Sequence, residues 1–181
     1  MHNPDRWLLV PALIFPAAAA MPAHAVQYLN VEQAQKILFP VAEQFEAQSF
    51  MLSAGLRSAI ESASGVRVRS AEVKAWHAKQ GGKSLGWFVV DEVYGKHEFI
   101  TYAVAIGNDG AVQGVEILDY RETHGGEVQN PKWRAQFIGK KAGDTLKLDE
   151  DIKNISGATL SCKHIADGVK RILATYQAAL K

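Results

Sequence analysis

Apolar residues recur at helical spacing early in the chain, at Ala34, Ile37, Leu38, Val41, Ala42 and Phe45. Asn30 and Gln33 ahead of them read as a capping box, and Pro40 should kink or break the helix. A second helical stretch runs from about Phe50 to Ala63 and ends near Gly65, which suits a left-handed cap. From Val66 the period changes to alternation. Val66 to Val68, Glu72 to Ala78, Trp87 to Val90, Phe99 to Ile106 and Val112 to Leu118 read as strands. Gly81-Gly82, Gly95-Lys96 and Asn108-Asp109-Gly110 supply the turns. A polar loop over Arg121 to Gln129 leads to Asn130-Pro131, a helix cap followed by proline at the first helical position. Trp133 and Phe137 share one face of that helix. A polar stretch from Gly139 to Asn154 holds one short expected strand, Leu146 to Leu148. The last helix starts just after Ser156-Gly157-Ala158-Thr159, with Ile165, Val169, Ile172, Leu173 and Tyr176 as its buried stripe. The pattern predicts an α+β fold, an antiparallel sheet flanked by helices.

The first residues follow a different logic. Arg6 precedes an apolar run from Trp7 to Ala20, interrupted by Pro11 and Pro16, and Ala23-His24-Ala25 resembles a small-residue cleavage site. The run is short for a spanning helix, which needs ~20 apolar residues. It reads as a secretory signal peptide cut after Ala25, with an uncleaved anchor as the other reading. The expected organisation is a signal peptide over 1–25, an N-terminal helical segment over 26–65 and a single domain over 66–181.

Composition narrows the chemistry. The 181 residues carry 20 Lys and Arg against 19 Asp and Glu, and no basic run points to nucleic acid. One cysteine, Cys162, excludes an internal disulfide, a multi-cysteine metal site and a two-thiol haem attachment. It lies one helical turn after Thr159 and reads as a small buried hydrophobe. His77, His97, His124 and His164 lack metal-ligand spacing. Trp76, Trp87 and Trp133 read as core or pocket wall. Asp149-Glu150-Asp151 reads as a solvated turn.

Ser156-Gly157-Ala158-Thr159-Leu160-Ser161 lies where a loop enters a helix. The first amides of a helix lack internal partners and the dipole is positive there, so this is a phosphate-binding start. On these residues alone an ordinary Ser/Thr-rich cap is the commoner reading. Gly157 and Ala158 leave steric room, and the hydroxyls of Ser156, Thr159 and Ser161 are available.

The same six residues, before an amphipathic C-terminal helix, resemble the flavinylation motif of the FMN-binding domain family. That family includes the C subunit of sodium-pumping NADH:quinone reductase and the G subunit of Rnf-type complexes. Glu122-Thr123-His124-Gly125 and the following Asn130-Pro131-Lys132-Trp133 resemble the family's E-T-P-G loop and N-P-x-W helix start, with Phe137-Ile138-Gly139-Lys140 between the two motifs. His124 replaces the usual proline. Lys153 stands where the family motif usually has Asp, with Asp151 two residues earlier. The resemblance implies one FMN, esterified through its phosphate to Thr159 by a dedicated flavin transferase. Ser156, Gly157, Ala158, Leu160, Ser161, Glu122, Thr123, His124 and Gly125 would surround it, with His124 donating to the ring. It further implies an electron-transfer module in a periplasmic or membrane-associated redox chain, served by a membrane-bound donor and a redox partner protein. The competing expectation is a non-redox module that keeps the fold and binds another ligand or partner.

Overall fold

The computed structural model describes residues 26–181, so the signal-peptide reading lies outside the described residues. The strands form an antiparallel sheet in the order β1 (Val26–Gln27), β7 (Val112–Tyr120), β6 (Phe99–Gly107), β5 (Lys83–Tyr94), β4 (Glu72–Gln80) and β2 (Gln44–Ala47), with β3 (Phe50–Met51) pairing beside β4. Its centre is a meander of β4 (Glu72–Gln80), β5 (Lys83–Tyr94), β6 (Phe99–Gly107) and β7 (Val112–Tyr120). Four of the expected strands, Glu72 to Ala78, Trp87 to Val90, Phe99 to Ile106 and Val112 to Leu118, lie within these. The expected Val66–Val68 strand does not form, because β4 begins only at Glu72.

Residues 26–65 are more than the helical segment expected. They hold α1 (Val31–Leu38) and α2 (Ala54–Ser64), and also β1 (Val26–Gln27), β2 (Gln44–Ala47) and β3 (Phe50–Met51). The capping box forms as expected: Asn30 Oδ1 accepts from the Gln33 amide at 2.8 Å, and the Asn30 amide donates to Gln33 Oε1 at 2.9 Å. The helix then stops at Leu38, just before Pro40, so Val41, Ala42 and Phe45 leave the helical stripe. Phe45 pairs with Ala78 in the sheet and packs edge-on against Phe88. Ser53 caps α2 and Gly65 ends it at φ 68°, so the helix begins after Phe50 and Met51 rather than at them.

The sheet is buried on both faces. Ile100, Tyr102, Val104 and Ile106 of β6 point into the main core with Val89, Val115 and Ile117. Ala103 and Ala105 point the other way, where their small size admits Ala34 and Phe39 around α1. Opposite α1, the main face is covered by α4 (Thr159–Thr175), whose expected stripe of Ile165, Val169, Ile172, Leu173 and Tyr176 is buried throughout. Inside that packing, Arg171 pairs with Asp91, and Tyr102 donates to Asp91 Oδ2 at 2.5 Å. Residues 146–148 form no strand; Leu148 makes only an isolated bridge to Ile152. The turn is instead tied by Asp151, which accepts from the Lys147 and Leu146 amides at 2.7 and 3.0 Å.

Candidate functional site

Three loops converge at the end of β7. The turn over Gly95 to Glu98 joins β5 to β6. The loop from Arg121 to Asn130 follows β7 and contains a single 3₁₀ turn over Gly126–Gln129. The segment from Lys153 to Ala158 runs into α4. Between them lies a cleft of about 590 Å³. Glu122, Thr123, His124, Gly125, Ser156, Gly157, Ala158, Thr159, Leu160 and Ser161 all line it. Residues more than thirty positions apart in the chain are therefore neighbours. Lys96, His97 and Glu127 line it too, beyond the site residues expected from the sequence.

Glu122 organises the upper wall. Its Oε1 accepts from the amides of Lys96, His97 at 2.6 Å and Glu98 at 3.1 Å. Burial alone would push its carboxyl up, but these amides outweigh burial and hold it below the usual carboxylate range. Gly95 is required beneath it, since a Cβ there would run into Glu122 Oε1. Glu122 thus shapes the cleft mainly by holding the β5–β6 turn.

The loop and the helix start are joined through Gly125 and Tyr120. Gly125 has φ 87°, and a Cβ there would lie 2.7 Å from the Tyr120 hydroxyl and 2.9 Å from Ala158 Cβ. Ala158 is buried against this glycine, so its small size serves the contact between loops. The steric room beside the helix comes from Gly157, at φ 84° with open space around it. The buried Tyr120 hydroxyl donates to the His124 carbonyl at 2.6 Å and lies 3.2 Å from Ser161 Oγ. Its phenol is pushed up by burial. The sequence carries no sign of this role, because Tyr120 looks like any strand-end aromatic.

At the helix start, Ala158 offers no side-chain cap. Among the described residues, no backbone carbonyl or capping side chain accepts from the amides of Thr159, Leu160 and Ser161. Thr159 is exposed, and its Oγ1 accepts from Asn154 Nδ2 at 3.2 Å. Leu160 is 43% exposed and gives the rim an apolar surface. Ser161 is buried in the first turn. Thr123 Oγ1 and His124 Nδ1 are 2.9 Å apart. Cys162 is fully buried, and burial pushes its thiol up.

The Asn130-Pro131 helix start forms as read. Asn130 caps α3 (Pro131–Arg134), and Trp133 packs edge-on against Phe137. Trp133 Nε1 donates to the Lys153 carbonyl at 2.7 Å, and the Lys153 amide donates to Gln136 Oε1 at 2.7 Å. This ties the N-P-x-W segment to the segment before Thr159. Asp151, two residues before Lys153, is engaged within its own loop. Burial would raise its carboxyl, but Lys140 and the Lys147 and Leu146 amides hold it low and turned into its own loop.

Residues 95–174 match a family model described as the FMN-binding domain. These residues belong to the FMN-binding domain family. The chain is 26% identical over 168 residues to the G subunit of the Na(+)-translocating ferredoxin:NAD(+) oxidoreductase complex of Acetobacterium woodii, covering 86% of this chain and 79% of that one. It is 30% identical over 131 residues to the C subunit of the Na(+)-translocating NADH-quinone reductase of Pasteurella multocida, covering 62% and 50%. The Vibrio vulnificus C subunit matches at 43% over 69 residues, only 27% of its length. The chain therefore spans half or less of these two NADH-quinone reductase relatives. The fold resembles that of Shewanella oneidensis NqrC, with TM-score 0.50 and 16% identity over 83% of this chain and 75% of that one. It resembles the Parabacteroides distasonis C subunit equally, with TM-score 0.50, 15% identity and 84% of that chain covered.

The cofactor of this family is FMN, and the cleft suits it on three counts. Its volume falls within the roughly 300–1,000 Å³ of small-molecule sites. Three unpartnered amides at a helix N-terminus match a phosphate. Leu160 and the loop backbone around Gly125 offer surface for a flat ring. No group of His, Cys, Asp and Glu among the described residues is arranged to hold a metal ion.

Proposed function

We propose that the chain is an extracytoplasmic electron-transfer module whose FMN is joined to Thr159 by a phosphodiester. The observation that carries this reading is the exposed Thr159 hydroxyl at an uncapped helix start, inside the cleft lined by both motifs. In attachment, Thr159 Oγ1 forms a bond to the FMN phosphorus, and its hydroxyl proton leaves to a base of the transferase. Esterifying free FMN would release water, so the donor is an activated phosphoanhydride of FMN; its anhydride bond breaks and the nucleotide half departs. The amides of Thr159, Leu160 and Ser161 hold the phosphate oxygens. Glu122 and Tyr120 keep the loops in register, and Thr123, His124 and Lys96 face the ring side. The bound flavin supplies one- or two-electron transfer, so its role is that of a relay.

The FMN-binding unit runs over 66–181 and is completed by the strands and helices of 26–65. Residues 1–25 direct export and are removed, which leaves the protein in the periplasm or an equivalent compartment. Its partners are a flavin transferase, a membrane-bound electron donor and a redox partner protein. The Acetobacterium relative's place in a Na(+)-translocating oxidoreductase complex supports this reading. No helix among the described residues is long and apolar enough to cross a membrane. Co-expression with an extracytoplasmic flavin transferase tests the attachment. Thr159→Ala should abolish flavin fluorescence in a denaturing gel, while Ser156→Ala should weaken it at most. A colourless wild-type protein from that strain favours the non-redox module instead, for which Lys153 in place of the motif's acidic residue speaks.

A further inference from the structure

We propose that Asn154 is a positioning residue for flavin attachment, holding the Thr159 hydroxyl in the orientation the transferase needs; this rests on the phosphodiester reading above. Asn154 Nδ2 donates to Thr159 Oγ1 at 3.2 Å, and this is the hydrogen bond that Thr159's side chain makes among the described residues. The donated proton occupies one lone pair of Oγ1. It leaves the O–H free to face the cleft and the incoming phosphorus. The same N–H remains a partner for the bridging oxygen once the ester has formed.

Asn154 is itself held from both sides. Lys153 is anchored through its carbonyl by Trp133 and through its amide by Gln136. Ile152 is buried in the core and Ile155 packs against it. A residue between two such anchors has little freedom to turn away. Its other polar atom, Oδ1, is buried without a hydrogen-bond partner. A buried unsatisfied acceptor is destabilising, and the fold gains nothing from it that a small apolar residue would not provide. Tolerated cost of this kind is accounted for by the contact on the other side of the amide, to Thr159. Lys153, by contrast, contributes its backbone here while its side chain is exposed.

The test measures incorporation of denaturation-resistant flavin by purified flavin transferase, with flavin adenine dinucleotide as the activated donor. Acceptors are the full mature chain and its Asn154→Ala, Asn154→Leu and Thr159→Ala variants. Loss of one neutral hydrogen bond should lower the maximal rate for both Asn154 variants about three- to tenfold. The half-saturating acceptor concentration should be unchanged, and the urea midpoint unchanged or raised, since the unpaired Oδ1 is removed as well. A purely structural role would lower the midpoint or move the half-saturation point instead of the maximal rate. The side-chain amide resonances of Asn154, compared between wild type and Thr159→Val, read the contact without altering Asn154, and they should shift. Incorporation by wild type and both Asn154 variants at equal rates overturns this inference alone, as does an unmoved amide resonance. No incorporation into wild type overturns the attachment reading and this inference with it.

Discussion

Gly125→Ala tests how the two motif segments are held together. At φ 87° an alanine adopts the left-handed region at a cost of ~1–2 kcal/mol. Its Cβ would also lie 2.7 Å from the Tyr120 hydroxyl and 2.9 Å from Ala158 Cβ, so one of them has to shift. Tyr120 is 4% exposed and Ala158 3%, both inside the core. The hydroxyl must leave the His124 carbonyl, Ser161 or both, at ~0.5–1.5 kcal/mol for each bond. The expected loss is therefore about 1.5–5 kcal/mol. Gly126→Ala is the control: its nearest neighbour, Gln129 Nε2 at 3.3 Å, is the end of a flexible side chain, and its φ is not positive. That substitution should stay within about 0.5 kcal/mol of wild type. Urea unfolding of both variants reads the difference directly, at unchanged m-value. Flavin retention should fall with stability in Gly125→Ala only, because the loop and the helix start separate. Equal stability of the two variants would refute this account of Gly125.

Glu122→Gln should remove an acid-side component of stability. The Glu122 carboxyl is held low in the folded protein, so its contribution is full above its unfolded value near ~4.3 and is lost as pH falls through the folded value. Unfolding midpoints of wild type and variant should differ at pH 7 and converge at the acid end; parallel curves would contradict this. Trp133→Phe deletes the indole N–H that meets the Lys153 carbonyl, and should cost ~1–3 kcal/mol in urea unfolding while lowering flavinylation. Arg171→Leu strips Asp91 of its charged partner, leaving it only the Tyr102 hydroxyl, and should cost ~3–5 kcal/mol, measured the same way. The mature N-terminus should be Val26 by intact mass of extracytoplasmic material, whereas retention of residues 1–25 in membranes would mark an anchor.

Local chemistry makes much of the molecule legible. The Asn30–Gln33 box, the glycine that closes α2 at Gly65, and the turns at Gly81, Gly95 and Gly110 each carry their own signal within a few residues. So does the stripe of α4. What misleads is spacing that two structures share. Val41, Ala42 and Phe45 continue a helical stripe, yet Pro40 ends the helix and pairing with β4 recruits Phe45 as a strand residue. Leu146 to Leu148 alternates like a strand, but the Asp151 carboxylate gathers the surrounding amides into a turn. At the site, the motif residues are legible because they form contiguous strings. Lys96, His97, Tyr120 and Asn154 are not, since each acquires its part only when separate loops meet. Glu122 reads in the sequence as cleft lining; its hold on the β5–β6 turn depends on a pairing that only the folded sheet creates.

The attachment at Thr159 is tested most directly by fragmenting the tryptic peptide from Asn154 to Lys163 after production with an active flavin transferase. This peptide contains Ser156, Thr159 and Ser161 together. The expected result is a mass increase of FMN less one water, carried by Thr159 alone. An unmodified peptide, or an adduct on either serine, would contradict it.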